Sequence, residues 1–121
     1  MQKPLLSLIL FLCLGISGLR AQTPANDACA DAIQVMLDEV VDFSTVGATM
    51  DGPNHLACFG ENDSIPADIW FYYVADTTAE LKWTNCSTAD YDSRMAVYLA
   101  GPGDCPVEDA DLIECNDDGG S

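Results

Sequence analysis

The stretch Ile69-Trp70-Phe71-Tyr72-Tyr73-Val74 decides the fold class. It is dense in aromatic and β-branched side chains, which suit a pleated surface, and it is long enough to lie centrally in a sheet. Downstream, Leu81-Lys82-Trp83-Thr84-Asn85-Cys86 alternates with period two and puts Leu81 and Trp83 on one face. Residues 95–99 and 112–115 give two further strands, joined through the turn-rich Gly101-Pro102-Gly103-Asp104-Cys105-Pro106. Upstream, residues 40–43 and 45–49 read as extended, ahead of the turn cluster Asp51-Gly52-Pro53-Asn54. Asn26-Asp27 opens residues 28–35 as a helical turn or a strand entry, and no longer helical stripe follows. Short strands at intervals of roughly 10 to 15 residues, with Gly, Pro and Asp between them, predict an all-β fold: an antiparallel β-sandwich of jelly-roll type. The length allows one such domain over residues 22–121. The last strand signal ends at Cys115 with no later strand to cover its edge. The expectation is therefore a sandwich incomplete at its C-terminus, the N-terminal part of a longer protein with further domains.

Lys3, the apolar run 5–16 and the small residues of Gly18-Leu19-Arg20-Ala21 follow the order of a secretory signal, so residues 1–21 are expected to be removed. The run is shorter than the roughly 20 apolar residues of a membrane span, and no membrane insertion is expected once it is gone. Its removal takes away Lys3 and Arg20, leaving Lys82 and Arg94 against twenty acidic side chains. A field of that sign repels nucleic acid and anionic membrane and opposes compaction unless cations offset it. Bound calcium would offset it, and plain solubility of an exported protein is the other account of the charge. The expected address is secreted or cell surface.

Of the six cysteines, Cys13 lies in the signal and five remain. An exported chain keeps its disulfides, and no CxxC pair or second histidine supports a zinc site. Two bridges with one thiol left over is the simplest count. Cys29 with Cys58 and Cys105 with Cys115 would leave Cys86 alone. Cys86 with Cys115 is the alternative, since both end strands directly before acidic loops, and spacing does not fix the connectivity.

Those acidic loops carry the sharpest chemistry. Cys115-Asn116-Asp117-Asp118-Gly119-Gly120 sets three oxygen-bearing side chains against glycines, and calcium takes several such oxygens at about 2.3 to 2.6 Å. One run supplies part of a shell, and Asp90 and Asp92 are the first candidates for the rest. Antiparallel pairing of strands 95–99 and 112–115 would bring both loops to one end. The plainer reading is two solvated turns. Trp70, Tyr72, Trp83 and Tyr98 could present an aromatic platform to sugar rings, but period-two aromatics read first as core. His55, beside Pro53 and Asn54, reads as a surface loop residue, and no serine carries a nucleophile-elbow signature, so no catalytic residue is assigned.

Asn26-Asp27-Ala28-Cys29, Val46-Gly47-Ala48-Thr49, Asp68-Ile69-Trp70-Phe71, Asn85-Cys86-Ser87, Tyr91-Asp92-Ser93, Ala96-Val97-Tyr98 and Cys115-Asn116-Asp117-Asp118 occur in that order. The set resembles the jelly-roll accessory domains of secreted Bacteroidota proteins, akin to bacterial pre-peptidase C-terminal domains. The resemblance implies a non-catalytic module attached to exported hydrolases or adhesins, with an extracellular protein or glycan polymer as partner. It also implies structural calcium, with Asp92, Asn116, Asp117 and Asp118 as the leading ligands and Asn26 and Asp27 as further ones. Two other roles stay open: the N-terminal part of a secreted hydrolase whose catalytic residues lie beyond this chain, and a structural spacer.

Overall fold

The computed structural model describes residues 22–60, 64–85, 89, 91–101 and 103–117. Near the start of this span, residues 28–35 supply both readings of that segment. A single 3-10 turn, Cys29–Asp31, leads into a short strand, β1 (Ile33–Gln34). The Asp51 carboxylate accepts the Cys29 N–H at 2.7 Å, satisfying a donor at the head of that turn.

Within the aromatic stretch 69–74, the paired residues are Phe71–Tyr72, forming β2. β1 and β2 are parallel, with Ile33 opposite Phe71 and Gln34 opposite Tyr72. Flanking bonds from Ile33 N–H to the Trp70 carbonyl (3.1 Å) and from Val35 N–H to the Tyr72 carbonyl (2.9 Å) extend the contact. This corrects the expectation of antiparallel pairing throughout. A parallel pair needs a long crossover, and residues 35–70 supply one, carrying the single-turn helix α1 (Leu56–Phe59).

The second sheet follows the sequence reading. β3 (Met95–Tyr98) and β4 (Leu112–Asn116) are antiparallel, with Met95 opposite Asn116 and an irregularity between Val97 and Tyr98. Of the segments expected as strands, 81–85 is not one, and 40–43 and 45–49 have no ladder partner among the described residues. Without one an extended segment gains no strand hydrogen bonds, and residues 45–48 close into a turn through the Ala48 N–H and the Thr45 carbonyl (3.0 Å). The described residues thus form a small, mostly β fold of two two-stranded sheets with little helix.

Two disulfides tie the segments together: Cys29–Cys105 and Cys58–Cys115. The pairing differs from both arrangements expected. The long crossover carries Cys58 on α1 to the end of β4, and the connection after β3 returns Cys105 to the first turn. Cys86 lies outside the described residues, as do the 1–21 leader, Asp90 and Asp118. The bridges suit an oxidising compartment. Among the described residues, no helix is long and apolar enough to cross a membrane.

The apolar core is small: Cys29, Val35, Phe59 and Val107. Three polar side chains are buried with it, Asn26, His55 and Asp68. Large apolar residues elsewhere stay open to solvent, with Val40 at 82% of full exposure and Trp83 at 39%.

Candidate functional site

Three features could carry function: a polar centre, an acidic end and an open trough. The polar centre is built on His55, only 1% exposed. One ring nitrogen, Nδ1, meets the Asp109 carboxylate at 2.5 Å, and the other, Nε2, meets the Tyr98 hydroxyl. The His55 ring lies 5.3 Å from that of Tyr98 and 6.2 Å from that of Phe59, and Trp70 lies 5.7 Å beyond Tyr98. The sequence reading of His55 as a surface residue is therefore corrected. Its two polar atoms are both satisfied, so burial carries little penalty. Of the four aromatics weighed as core or platform, Trp70 and Tyr98 pack together here, while Tyr72 and Trp83 stay largely exposed.

Asp68 sits against Trp70. Its carboxylate accepts the backbone N–H groups of Asp51 (3.1 Å) and Gly52 (2.8 Å) and the Trp70 indole N–H (3.3 Å). The 51–54 turn thus folds onto a buried acid. The fit at Gly52 is tight: a Cβ there would stand 3.0 Å from the Asp68 carboxylate and 3.3 Å from the Trp70 ring, so either would have to give by a few tenths of an ångström. Burial raises the Asp68 pKa, opposed by the N–H bonds. Burial, with the nearby charges of Asp68 and Asp109, pushes the Tyr98 phenol up to about 12. A phenol held neutral in this way is a hydrogen-bonding post and not an activated nucleophile at ordinary pH. The sequence reading missed this centre because Tyr98 and Asp109 lie 43 and 54 residues from His55 and share no motif with it, and Asp68 entered only as the head of the Asp68-Ile69-Trp70-Phe71 run.

The acidic end holds the calcium candidates. The β3–β4 register puts Met95 opposite Asn116, so the Asp92 loop and Asp117 lie at the same end of the sheet. Asp117 is engaged by Arg94, Nε to Oδ1 at 3.2 Å. Arg94 also donates to the Ser64 carbonyl (2.9 Å) and lies 4.9 Å from the Phe59 ring centroid. Asn26 and Asp27 serve other bonds. The Asn26 amide donates to the Trp70 carbonyl at 2.9 Å, and both Asp27 oxygens accept from Thr49, at 2.5 Å from its N–H and 2.8 Å from its hydroxyl. Among the described residues, no three His, Cys, Asp or Glu side chains converge on one point. Asp92, Asn116 and Asp117 are of the right donor chemistry for a hard cation, and Arg94 is a competing positive charge on one of them.

The trough is an open feature of about 1210 Å3. Phe43, Phe71, Tyr73, Leu81, Trp83 and Met95 contribute its apolar lining, drawn from both sheets and from the segments between the strands. Exposed carboxylates of Asp38, Glu39, Glu80 and Asp92 border it, against Lys82 and the Asp117-bound Arg94. No family model, curated protein or solved structure matches this chain.

Proposed function

We propose that this chain is a non-catalytic, calcium-stabilised binding module of a larger exported protein, serving adhesion or substrate targeting on an extracellular polymer. The observation that carries the reading is the open, aromatic-lined trough on a disulfide-tied β fold. Concave apolar surfaces with a few polar groups are the default sites of recognition. The ordered motif set shared with Bacteroidota jelly-roll accessory domains supports the same role. It also supports a sandwich completed by strands beyond those described.

Calcium is assigned to Asp92, Asn116, Asp117 and Asp118, with Asp90 completing the set; Asn26 and Asp27, committed to Trp70 and Thr49, drop to the outer margin. An ion there would take over from Arg94 in neutralising Asp117 and would lower the self-repulsion of a chain with net charge −16.

The test is thermal unfolding of the purified chain after EGTA treatment, with and without millimolar calcium, at constant ionic strength. We expect calcium to raise Tm, and Asp92→Ala or Asp117→Ala/Asp118→Ala to abolish the rise. Arg94→Met, which removes the competing cation, should tighten calcium binding. A folded chain with the same Tm in calcium and EGTA would sink the metal assignment. Retention of the chain on immobilised protein or polysaccharide polymers tests the binding role separately.

A further inference from the structure

Export as proposed above removes residues 1–21, and the first residue of the exported chain is then Gln22. Gln22 and Thr23 are both exposed and lie outside any helix or strand. Among the described residues, neither makes a hydrogen bond. The first anchors come at Asn26, whose carbonyl accepts the Trp70 N–H (2.9 Å), and at Asp27, whose N–H donates to the Pro24 carbonyl (3.2 Å). Nothing in the described fold therefore holds the Gln22 carboxamide away from the amine it gains on cleavage. Both groups sit on one residue at the spacing of a lactam ring, and attack within one molecule at that spacing is strongly favoured. An α-amino group has an ordinary pKa of about 7.7 to 8.0, so part of it is unprotonated and nucleophilic near neutral pH.

The surroundings favour the closed form. Gln22 lines a cavity of about 400 Å3 with Pro24, Ile33, Val41, Phe43 and Phe71. A neutral ring suits that apolar wall, where an ammonium would lose hydration. Asp42, a carboxylate on the same lining, could pair with the ammonium, but it is exposed and such a pair is weak.

We infer that Gln22 is a modification site, closing to pyroglutamate once the leader is removed. The α-amino nitrogen attacks the side-chain amide carbon Cδ and the new C–N bond closes the lactam. The Cδ–Nε2 bond breaks, and ammonia leaves with a proton taken from the amine. The step needs no co-reactant. The exported chain then carries no terminal ammonium, with Lys82 and Arg94 as its Lys and Arg cations. A blocked terminus also shields residues 22–25 from aminopeptidases, and with them Asn26, which binds the Trp70 backbone through both its side-chain amide and its carbonyl. The inference rests on the export proposed above and on neither the binding role nor calcium.

The test uses the full chain, expressed with its own leader in an exporting bacterium. The exported protein is treated with a reagent that methylates free amines, then cut ahead of Asp27, and the 22–26 peptide is weighed. Labelling first keeps any ring closure during digestion from being counted. The expected peptide is unmethylated and lighter than its sequence by one ammonia. Gln22→Ala, which has no carboxamide to close, should be methylated at its terminus. A methylated Gln22 at full mass overturns the inference and leaves export standing, as does an exported chain that begins at any other residue. An unmethylated terminus in Gln22→Ala also overturns it, since the block would then not be the lactam. A chain that keeps residues 1–21 overturns both the inference and the export on which it rests.

Discussion

His55 draws its two partners from segments 43 and 54 residues away, Tyr98 in β3 and Asp109 beside β4, and so ties the crossover to the second sheet. Because the Tyr98 pKa is raised from 10.0 to about 12, its sign is definite. Below pH 10 the phenol is neutral in both folded and unfolded chains and its contribution is complete. Between pH 10 and 12 the unfolded chain ionises first, so stability falls as pH rises. A phenol absorbance titration should therefore show a component centred near pH 12 that vanishes in Tyr98→Phe, and the alkaline loss of Tm should shrink with it. At neutral pH the same variant should lose about 1 to 2 kcal/mol, the cost of leaving a buried imidazole nitrogen without its partner. Asp68→Ala strands the Asp51 and Gly52 N–H groups and the Trp70 indole at once. Urea unfolding should register a loss of about 2 to 3 kcal/mol, and a change under 0.5 kcal/mol would show that water replaces the carboxylate at little cost.

At the scale of elements, the bridges matter more than any strand. The paired strands are two to five residues long, and isolated two-stranded units are marginal in water. Cys58–Cys115 closes a loop with a sequence separation of 57. In the chain-entropy account such a loop is worth about 4 kcal/mol, so Cys58→Ser/Cys115→Ser should abolish a cooperative melt or lower Tm by well over 10 °C in calorimetry. Survival of the wild-type Tm would mean that the β3–β4 pairing holds α1 in place unaided.

Some of this arrangement was legible in the sequence. Strands 95–99 and 112–115, with a Gly/Pro turn between them, predict their own antiparallel pairing, because both ends of the pair are local. The turn before β1 was likewise marked by Asn26-Asp27. The parallel β1–β2 pair was not legible, since the two-residue match of Ile33–Gln34 to Phe71–Tyr72 spans a long crossover that leaves no periodic trace. The disulfide partners are non-local in the same sense. The antiparallel register that brings Asp92 and Asp117 to one end of β3–β4 follows from the local strand pair, whereas the Arg94–Asp117 ion pair depends on a side-chain reach that spacing does not encode.

For the whole molecule, charge and core pull against each other. Only four apolar residues are buried among those described, and a net charge of −16 favours expansion. Raising sodium chloride from about 10 mM to about 0.5 M shortens the screening length from roughly 30 Å to a few ångströms, and Tm should climb by several degrees. Calcium at matched ionic strength should climb further, which separates site binding from general screening.

The bridges also interleave along the chain, Cys29 with Cys105 and Cys58 with Cys115, so each spans a cysteine of the other. Wherever a protease nicks the backbone once between Cys29 and Cys115, at least one bridge still joins the two pieces. Between Cys58 and Cys105 both do, and that interval holds the exposed run 74–84 where an enzyme has easiest access. With the bridges paired as neighbours, one cut there would have freed half the molecule. As they stand, a nicked chain remains a single covalent body until it is reduced.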